Sequence, residues 1–252
     1  METLDHAATD FPAEGLAAPS GLRPAVYVTD QSGLRLHFGS DGPLAPAASK
    51  GRDAALVVKR VFDVSTASLA LLVLLPLLLG IGLVIAATSR GPIAFTQLRT
   101  GFNGQPFRIL KFRTMFADRG DATGLTQTTP EDGRVTPVGR LLRRTGLDEL
   151  PQLVNVIAGQ MSIVGPRPHP VRMLAADTDY DQLVPYYAMR HQMRPGITGW
   201  AQAHGLRGPT ENAQRARARI DHDIAYIQNF SIRLDLKIIW LTLWREVLRG
   251  GV

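Results

Sequence analysis

One apolar segment stands out in the pattern of hydrophobic and polar positions. The 26 positions from Val64 to Ser89 carry no charged side chain. A helix needs about 20 apolar residues to cross a bilayer, so this pattern predicts a membrane helix. The segment lies too far from the N-terminus, and is followed by no cleavage pattern, for a signal peptide. The alternative is a buried helix of a soluble core, which would seldom be so long and so uniformly apolar.

Pro76 lies near the middle of this segment, where a proline removes a backbone hydrogen bond and kinks a helix. Basic residues flank the segment on both sides, and positive charge marks the cytoplasmic side of a membrane. They are Lys59 and Arg60 before it and Arg90, Arg99, Arg108 and Lys111 after it. We therefore predict a re-entrant helix over about residues 60–89 that is broken at Pro76. A kinked helix that spans the bilayer is the alternative, because neighbouring groups can satisfy the freed backbone groups.

A strand pattern follows the apolar segment. Residues Phe95–Thr100 and Phe107–Met115 alternate as strands do, and Asn103-Gly104 supplies a tight turn between them. The second strand carries a dense row of basic residues, which either contact phosphate or blunt the edge of a sheet. The two that we single out as phosphate contacts are Lys111 and Arg113.

Two further helices are predicted. The residues after Pro137 form a short amphipathic pattern, in which we expect Leu141 and Leu142 to point inward. Near the C-terminus a second amphipathic pattern places Trp240 and Trp244 on one side, interleaved with basic residues. Tryptophan and basic residues together are typical of a helix that lies in a membrane interface. A plain core helix is the alternative for this second pattern.

Composition sets the broad class. The chain has 252 residues, and 28 Lys+Arg against 22 Asp+Glu give a net charge of +6, which suits nucleic acid, anionic lipid or phosphorylated substrates. There is no cysteine, which excludes disulfides and thiolate chemistry. We expect a loosely ordered extension over residues 1–50, with a short hairpin in "AVYVTDQSGLRLHFGS". Residues 51–252 are expected to form one membrane-associated domain of mixed, helix-rich α/β class, with its catalytic region over about residues 90–252.

Two adjacent carboxylates, Asp148 and Glu149, follow a run that is rich in arginine. Neighbouring helix positions point about 100° apart, so the two side chains suit two different tasks. Asp148 could cap the next helix, with Pro151 in its first turn. A helix N-terminus and nearby arginines both favour the ionised form, so we expect a lowered pKa for Asp148. The alternative is a capping pair surrounded by solvated arginines.

These residue types suit phosphate chemistry. An ionised Asp148 can act as a nucleophile toward phosphorus. Glu149 can hold Mg²⁺, which prefers oxygen ligands and substrate phosphates. Arg143 and Arg167 can bind phosphate oxygens with two parallel hydrogen bonds each.

Five stretches follow one another in the part of the chain from Lys59 to Gly250. They are "KRVFDV", "RGPIAFTQLRTGFNGQPFRILKFRTM", "TPVGRLLRRTGLDELPQLVNVIAGQMSIVGPRP", "RPGITGWAQAHG" and "DIAYIQNFSIRLDLKII". Each stretch is modest evidence on its own, and together in this order they specifically resemble the bacterial sugar transferase family. These are the monotopic phosphoglycosyl transferases, which start polysaccharide assembly on a polyprenyl-phosphate carrier.

The resemblance implies a small α/β catalytic domain with a re-entrant helix, on the cytoplasmic face of the bacterial inner membrane. It implies an enzyme that transfers a hexose-1-phosphate from a UDP-sugar to polyprenyl (undecaprenyl) phosphate and releases UMP. This is the first membrane step in the synthesis of exopolysaccharide, capsule or glycoconjugate. The resemblance makes Asp148 the nucleophile that forms a covalent phospho-sugar intermediate and Glu149 the Mg²⁺ ligand. It assigns Arg143 and Arg167 to phosphate. The expected partners are UDP-sugar, polyprenyl phosphate and membrane lipids, and not nucleic acid; the sugar and a homodimer are left open.

Two positions depart from the family pattern. Leu75 stands where some members have a serine before the membrane proline, so the break in the helix must rest on Pro76. Gln160 stands where an acidic residue often precedes "MS", which leaves the role of that position open. Two other functions stay open as alternatives. One is a membrane scaffold whose carboxylates are catalytically idle, and the other is a basic, membrane-anchored regulatory protein.

Overall fold

A single long helix organises the chain. The computed structural model describes residues 26–29, 34–39, 42–46, 50–118, 132–208 and 212–249. Helix α1 (Lys50–Thr88) has 39 residues, and Pro76 lies inside it. The predicted break is therefore not an interruption of the helix, because a proline removes one intrahelical hydrogen bond and those on either side persist.

The apolar part of α1 is exposed rather than buried. Residues Gly51–Thr88 are long and apolar enough to cross a membrane, with a mean hydropathy of 2.9 in the best window, of which only 17% is buried. The exposed apolar side chains of this part are Leu69, Leu72, Val73, Leu75, Leu77, Leu79, Leu83 and Val84. A core helix of a soluble protein would bury such residues, so this alternative does not describe α1.

One face of α1 nevertheless packs against the rest of the chain on both sides of the proline. Ala67 joins a core cluster with Phe107 and Val156. Further along the helix, Ile85 joins a second cluster with Phe112. Ala67 and Ile85 are 18 positions apart, which is five helical turns, so they lie on the same face.

A small three-stranded sheet precedes α1 in the sequence. Strands β1 (Val26–Thr29), β2 (Arg35–Gly39) and β3 (Gly42–Pro43) pair antiparallel in that order. The predicted hairpin is thus confirmed, and buried Leu36 of β2 packs with core residues later in the chain, such as Ile220. The loosely ordered extension predicted over residues 1–50 falls mostly outside the described residues, which within it are 26–29, 34–39, 42–46 and 50, so it stays a prediction.

The second hairpin follows α1 directly. Strands β4 (Ala94–Thr100) and β5 (Pro106–Phe112) pair antiparallel over their full length, as the alternation predicted. Asn103 and Gly104 have positive φ angles of 51° and 74°, which is the conformation that an Asn-Gly turn favours. Strand β5 ends at Phe112 rather than at the predicted Met115, which instead forms an isolated bridge to Val135.

The segment that carries the two carboxylates comes next. Helix α2 (Pro137–Thr145) has Thr136 as its N-cap and ends at Gly146 in the left-handed conformation. A 3-10 turn (Leu147–Glu149) and helix α3 (Gln152–Ile157) follow. Leu142 is buried as predicted, whereas Leu141 is exposed, because α2 packs on the protein with one face only.

Short elements complete the domain. Strands β6 (Ser162–Val164) and β9 (Gly196–Thr198) pair in parallel, and β7 (Leu174–Ala175) pairs with β8 (Thr178–Asp179). The helices are α4 (Tyr180–Leu183), a 3-10 helix (Tyr187–Gln192), α5 (Trp200–Ala203), α6 (Ala213–Gln228) and α7 (Ile232–Arg249). The buried faces of α5, α6 and α7 form a core cluster around Trp200 and Tyr226, whereas α4 and the 3-10 helix pack on α6 in the cluster of Leu36.

The start of α1 is fixed by a buried polar group that we call the anchor cluster: Lys59, Asp63, Ser162, Tyr226 and Asp235. Lys59 Nζ lies 2.6 Å from Asp235 Oδ2, and the Tyr226 hydroxyl donates to Asp235 Oδ1 at 2.7 Å. The Ser162 hydroxyl donates to Asp63 Oδ2 at 2.6 Å. Lys59 is only 4% exposed, so its ammonium is paired inside the domain.

Arginines hold both ends of the apolar segment. Arg60 donates to the carbonyl oxygens of Val156 and Ile157, at the end of α3, at 2.7 and 3.1 Å. Arg113, just after β5, donates to the carbonyl oxygen of Ser89 at 2.8 Å. The two ends of α1 are therefore attached to neighbouring parts of the same folded domain.

Candidate active site

The two carboxylates lie in the 3-10 turn between α2 and α3. Gly146, with a φ of 68°, ends α2 and turns the chain so that Asp148 and Glu149 follow at once. Helix α3 begins after Pro151 and has no side-chain cap. The prediction that Asp148 caps this helix is wrong, because the extra 3-10 turn places its side chain before the helix N-terminus.

Glu149 is held by two cations. Its Oε1 lies 2.7 Å from Lys111 Nζ and 2.6 Å from Arg167 Nη2. Its Oε2 accepts from Arg167 Nη1 at 3.2 Å. The structure thus brings together three of the predicted site residues from β5, the 3-10 turn and the loop after β6.

Asp148 is buried next to this group, but within the described chain it makes no hydrogen bond or ion pair of its own. It is 8% exposed. The charged groups that act on its carboxyl through space are Lys111, Glu149, Arg143 and Arg167. A carboxylate that is buried yet not engaged by a partner is available to react with a ligand.

The two neighbours have opposite pKa shifts. Burial is the largest influence on Asp148 and raises its pKa, while Lys111 and the arginines oppose it only in part. Burial also acts on Glu149, but Arg167 and Lys111 outweigh it and hold the pKa of Glu149 well below its usual range. The expectation of a lowered pKa for Asp148 is wrong, because burial of its carboxyl outweighs the nearby cations, two of which pair with Glu149 instead.

The predicted arginines have different surroundings. Arg143 Nε donates to the hydroxyl of Thr114 at 2.8 Å, and Arg143 lies close enough to Asp148 to affect its pKa. Arg113 is 6% exposed and donates to the Ser89 carbonyl, so its guanidinium holds the end of α1. The role of Arg113 as a phosphate contact stays a prediction.

The sequence reasoning missed one cation and one orienting residue. Arg99 of β4 is largely buried, and its pKa is lowered to about 10 by burial and by Arg167, while Glu149 raises it. Thr114 orients Arg143 as described above. The alternation of β4 was the only available signal for Arg99, and it did not reveal which face meets Arg167.

Asn155 connects α3 to the free edge of β5. Its Oδ1 accepts from the Leu110 amide at 2.9 Å, and its Nδ2 donates to the Arg108 carbonyl at 2.8 Å. The same Nδ2 donates to Gln160 Oε1 at 2.7 Å. Asn155 therefore fixes the part of β5 just before Lys111 relative to the carboxylates, and Gln160 supports Asn155 with a neutral acceptor.

The carboxylates could serve a magnesium ion only together with a substrate. Within the described ranges no group of three or more His, Cys, Asp or Glu residues could hold a metal ion. Mg²⁺ that is bound mainly by substrate phosphates needs only one or two protein carboxylates, which Asp148 and Glu149 can supply. Both Glu149 oxygens accept hydrogen bonds from Lys111 or Arg167, so Mg²⁺ would share this carboxylate with the two cations or displace one of them to the phosphate.

A second apolar surface lies on α7. Trp240 and Trp244 are 63% and 55% exposed, and Leu236 and Leu243 beside them are exposed as well. The plain core helix considered for this pattern would bury these side chains. Their exposure fits the predicted contact with a membrane interface.

Comparison with known proteins gives a consistent family. The sequence model described as bacterial sugar transferase matches residues 54–249. The chain is 50% identical over 195 residues to the exopolysaccharide production protein PSS of Rhizobium leguminosarum bv. phaseoli, covering 77% of this chain and 98% of that protein. It is 49% identical over 199 residues to a UDP-glucose:undecaprenyl-phosphate glucose-1-phosphate transferase of Caulobacter vibrioides (79% and 73% covered). It is 46% identical over 189 residues to the protein of the same name from Escherichia coli (strain K12), with 75% of this chain but only 40% of that protein covered.

Proposed function

The chain belongs to the bacterial sugar transferase family, and from this we propose that it transfers a hexose-1-phosphate from a UDP-sugar to polyprenyl phosphate. The names of its relatives support undecaprenyl phosphate as the carrier and UDP-glucose as the first donor to test. The name of the Rhizobium relative supports a role in exopolysaccharide production. One observation supports this chemistry. Asp148 is buried and its carboxylate makes no hydrogen bond within the described chain, whereas the adjacent Glu149 is neutralised by Lys111 and Arg167.

The reaction has two phosphoryl-transfer steps. In the first, an Asp148 carboxylate oxygen attacks the sugar-linked phosphorus of the UDP-sugar. An O–P bond forms to Asp148, the P–O bond to the bridging oxygen breaks, and UMP leaves with the electron pair. In the second, an oxygen of polyprenyl phosphate attacks the same phosphorus, which releases the Asp148 carboxylate and gives the polyprenyl diphosphate sugar.

The division of roles follows from the two environments. Burial without hydrogen bonds leaves the lone pairs of Asp148 free for attack, since water does not solvate them fully. Glu149 is held ionised and in place by Lys111 and Arg167, and these cations can pass to the diphosphate when it binds. An opposite assignment would ask Glu149 to attack while both its oxygens are in ion pairs.

The charge balance of the site suits an anionic donor. Three cations, Lys111, Arg143 and Arg167, act on Asp148, against the one other carboxylate of Glu149. With Arg99 nearby, the cations outnumber the two acids. A net positive, partly buried site attracts and binds a nucleotide diphosphate.

We include Mg²⁺ in this proposal, with Glu149 as its main protein ligand and Asp148 adjacent. When bound, Mg²⁺ would neutralise the negative charge of the diphosphate and of the departing UMP. The protein's own part is to hold Glu149 on a rigid turn and to supply Lys111 and Arg167 to the phosphate oxygens that the ion does not cover.

The membrane part of the proposal is a re-entrant α1 on the cytoplasmic face of the inner membrane, in which the helix bends at Pro76, where one backbone hydrogen bond is missing, without being interrupted. Arg60 and Arg113 attach the two ends of the apolar segment to one domain, which supports entry and exit on the same side. A spanning helix would carry one of these ends across the bilayer. The exposed Trp240 and Trp244 of α7 would lie in the interface of that side.

The test is UMP release by purified full-length protein in detergent with Mg²⁺, measured with and without undecaprenyl phosphate. The donors are UDP-glucose, UDP-galactose and their N-acetylated forms. We expect lipid-dependent turnover with one donor, and loss of turnover in Asp148→Asn. The matched control is Asp181→Asn, which makes the same chemical change at an exposed residue of α4 and should keep full activity.

Two results would overturn the proposal. No turnover of any UDP-sugar by the folded wild type would remove the assigned reaction. Full turnover in Asp148→Asn would remove Asp148 as the nucleophile and return the carboxylates to a structural role.

A further inference from the structure

The loop that carries Arg167 is held by its backbone. Three successive carbonyl oxygens accept hydrogen bonds: that of Arg167 from Arg190 Nη2 at 2.6 Å, that of Pro168 from Arg99 Nη1 at 3.3 Å, and that of His169 from the Thr100 amide at 3.0 Å. Prolines before and after Arg167 restrict the backbone further. The Arg167 guanidinium therefore meets Glu149 from a segment with little freedom to move.

Arg190 is the buried member of this set. Its side chain and that of Asp223 on α6 are each 2% exposed, and Nε and Nη2 lie 3.0 and 2.7 Å from Asp223 Oδ2. Arg190 Nη1 also donates to the Tyr187 hydroxyl at 3.4 Å, and that hydroxyl contacts His169 Nδ1 at 3.0 Å. Arg190 thus connects α6 to the loop at two points on either side of Pro168.

A purely stabilising pair would not need this arrangement. A buried ion pair gives little net stability over apolar residues of similar size, because both charges lose their hydration. Here the Nη2 nitrogen is shared between Asp223 and the Arg167 carbonyl, which a lysine ammonium could not reproduce in the same fork geometry. The arrangement fixes the position of one backbone atom, that of the residue whose side chain binds Glu149.

We propose that the Arg190–Asp223 pair is a positioning unit for Arg167, which sets the guanidinium against Glu149 and against the phosphate of the donor. This inference rests on the proposed function, in which Arg167 binds that phosphate. Neither Arg190 nor Asp223 touches the reacting atoms; both act through the backbone of Arg167.

The principal variant is Arg190→Lys, which keeps a positive charge beside Asp223 but loses the fork. We expect kcat/KM for the UDP-sugar to fall on the order of tenfold or more, since small misplacements of a binding group are costly in phosphoryl transfer. The matched control is Tyr186→Phe. Tyr186 lies just before the same 3-10 helix and donates to Asp221 of the same α6 at 2.7 Å, yet it has no hydrogen bond to the Arg167 loop. Tyr186→Phe should keep wild-type kcat/KM.

A double-mutant cycle separates positioning from general damage. In an Arg167→Met background there is no guanidinium to place, so adding Arg190→Lys should change kcat/KM by less than about twofold. If the two effects multiply instead, Arg190 acts independently of Arg167 and the inference is overturned. Inactive wild type, or unchanged activity in Arg167→Met alone, would count against the proposed function rather than against the positioning unit.

A second variant guards against simple loss of folding. Arg190→Met with Asp223→Leu removes both buried charges together and is expected to keep the thermal unfolding temperature close to that of the wild type. It also removes the donor to the Arg167 carbonyl, so we expect kcat/KM to stay as low as in Arg190→Lys. Recovery of wild-type kcat/KM along with stability would show that the pair only stabilises the fold.

Discussion

Two polar groups of the chain contain the same kinds of residue and behave in opposite ways. In the anchor cluster, each carboxylate oxygen of Asp235 has a partner, the Lys59 ammonium or the Tyr226 hydroxyl. Asp63 is satisfied in the same manner by Ser162 and by a backbone amide. All of these groups are buried, and nothing in the cluster is left for a ligand to bind.

In the site cluster, by contrast, the partners are shared unequally between the two acids. We define this cluster as Lys111, Arg143, Asp148, Glu149 and Arg167. Glu149 has two cations, and Asp148 beside it has no hydrogen bond within the described chain. The pKa of Asp148 is raised by burial, whereas that of Glu149 is lowered by its cations. A folded protein tolerates a poorly satisfied group of this kind mainly where function requires it.

The comparison therefore separates stability from activity. The anchor cluster should matter for folding and the position of α1, and the site cluster for turnover. Four predictions test this separation.

The largest effect on stability is expected from Lys59→Met. It leaves the Asp235 carboxylate buried without its cation, which should cost about 3–5 kcal/mol of unfolding free energy. Lys111→Met is the matched change in the site cluster, and since Arg167 still pairs with Glu149, it should cost about 1 kcal/mol or less. Denaturant unfolding in detergent measures both. Equal losses for the two lysines would contradict the separation.

Replacing each of the two neighbouring acids by its amide should change the stability of the fold in opposite directions. Glu149→Gln should lower the unfolding free energy by about 1–3 kcal/mol, because Lys111 and Arg167 lose a charged partner. Asp148→Asn should instead raise the unfolding temperature at neutral pH, by up to about 3 °C. A raised folded-state pKa means that ionising Asp148 costs stability above its unfolded pKa, and asparagine removes that cost. A lower unfolding temperature in Asp148→Asn would show that its carboxylate stabilises the fold.

The rate of the first step should depend on pH. Asp148 must be ionised to attack, and its pKa lies above the ordinary value, so kcat/KM should fall as pH falls through that raised pKa. Glu149 stays ionised over the same range because its pKa is lowered. Single-turnover UMP release without lipid is the suitable measurement, since the lipid phosphate has its own ionisation near pH 6. A rate that stays flat down to the ordinary pKa of an aspartate would contradict the raised pKa.

The smallest effect is expected from Gln160→Glu. Glutamate offers Asn155 the same kind of acceptor as Gln160 Oε1, so stability should change by less than about 0.5 kcal/mol and kcat/KM by less than about twofold. Removing the acceptor with Gln160→Ala serves as the comparison and should have the larger effect. A strong gain of activity in Gln160→Glu would instead point to a metal-binding role for an acid at this position.

Local patterns predicted the elements of the fold but not the environments of their side chains. The Asn103-Gly104 turn and the Thr136 cap act within a few residues, so the β4–β5 hairpin and α2 could be predicted from the sequence. The pKa of Asp148 depends first on burial and then on charged groups such as Lys111 and Arg167, which are distant in the sequence.

The side-chain environments that the sequence did not show have a common origin. Lys111 and Arg113 look alike on an alternating strand, yet β5 ends between them and Arg113 turns to the end of α1. Lys59 precedes the apolar segment and was interpreted as one of its flanking charges, but in the structure it is buried in an ion pair with Asp235 of α7. The sequence shows where charged residues lie along the chain. Which of them pair with each other depends on the tertiary structure.

The most direct test of the central claim is the intact mass of the protein after incubation with UDP-sugar and Mg²⁺ in the absence of lipid. The account predicts an adduct of one hexose phosphate, released when undecaprenyl phosphate is added, with peptide mapping on Asp148. Asp148→Asn should show no adduct, while Asp181→Asn should show it in full. UMP release that requires lipid from the first turnover, with no adduct on the wild type, would contradict a covalent step on Asp148.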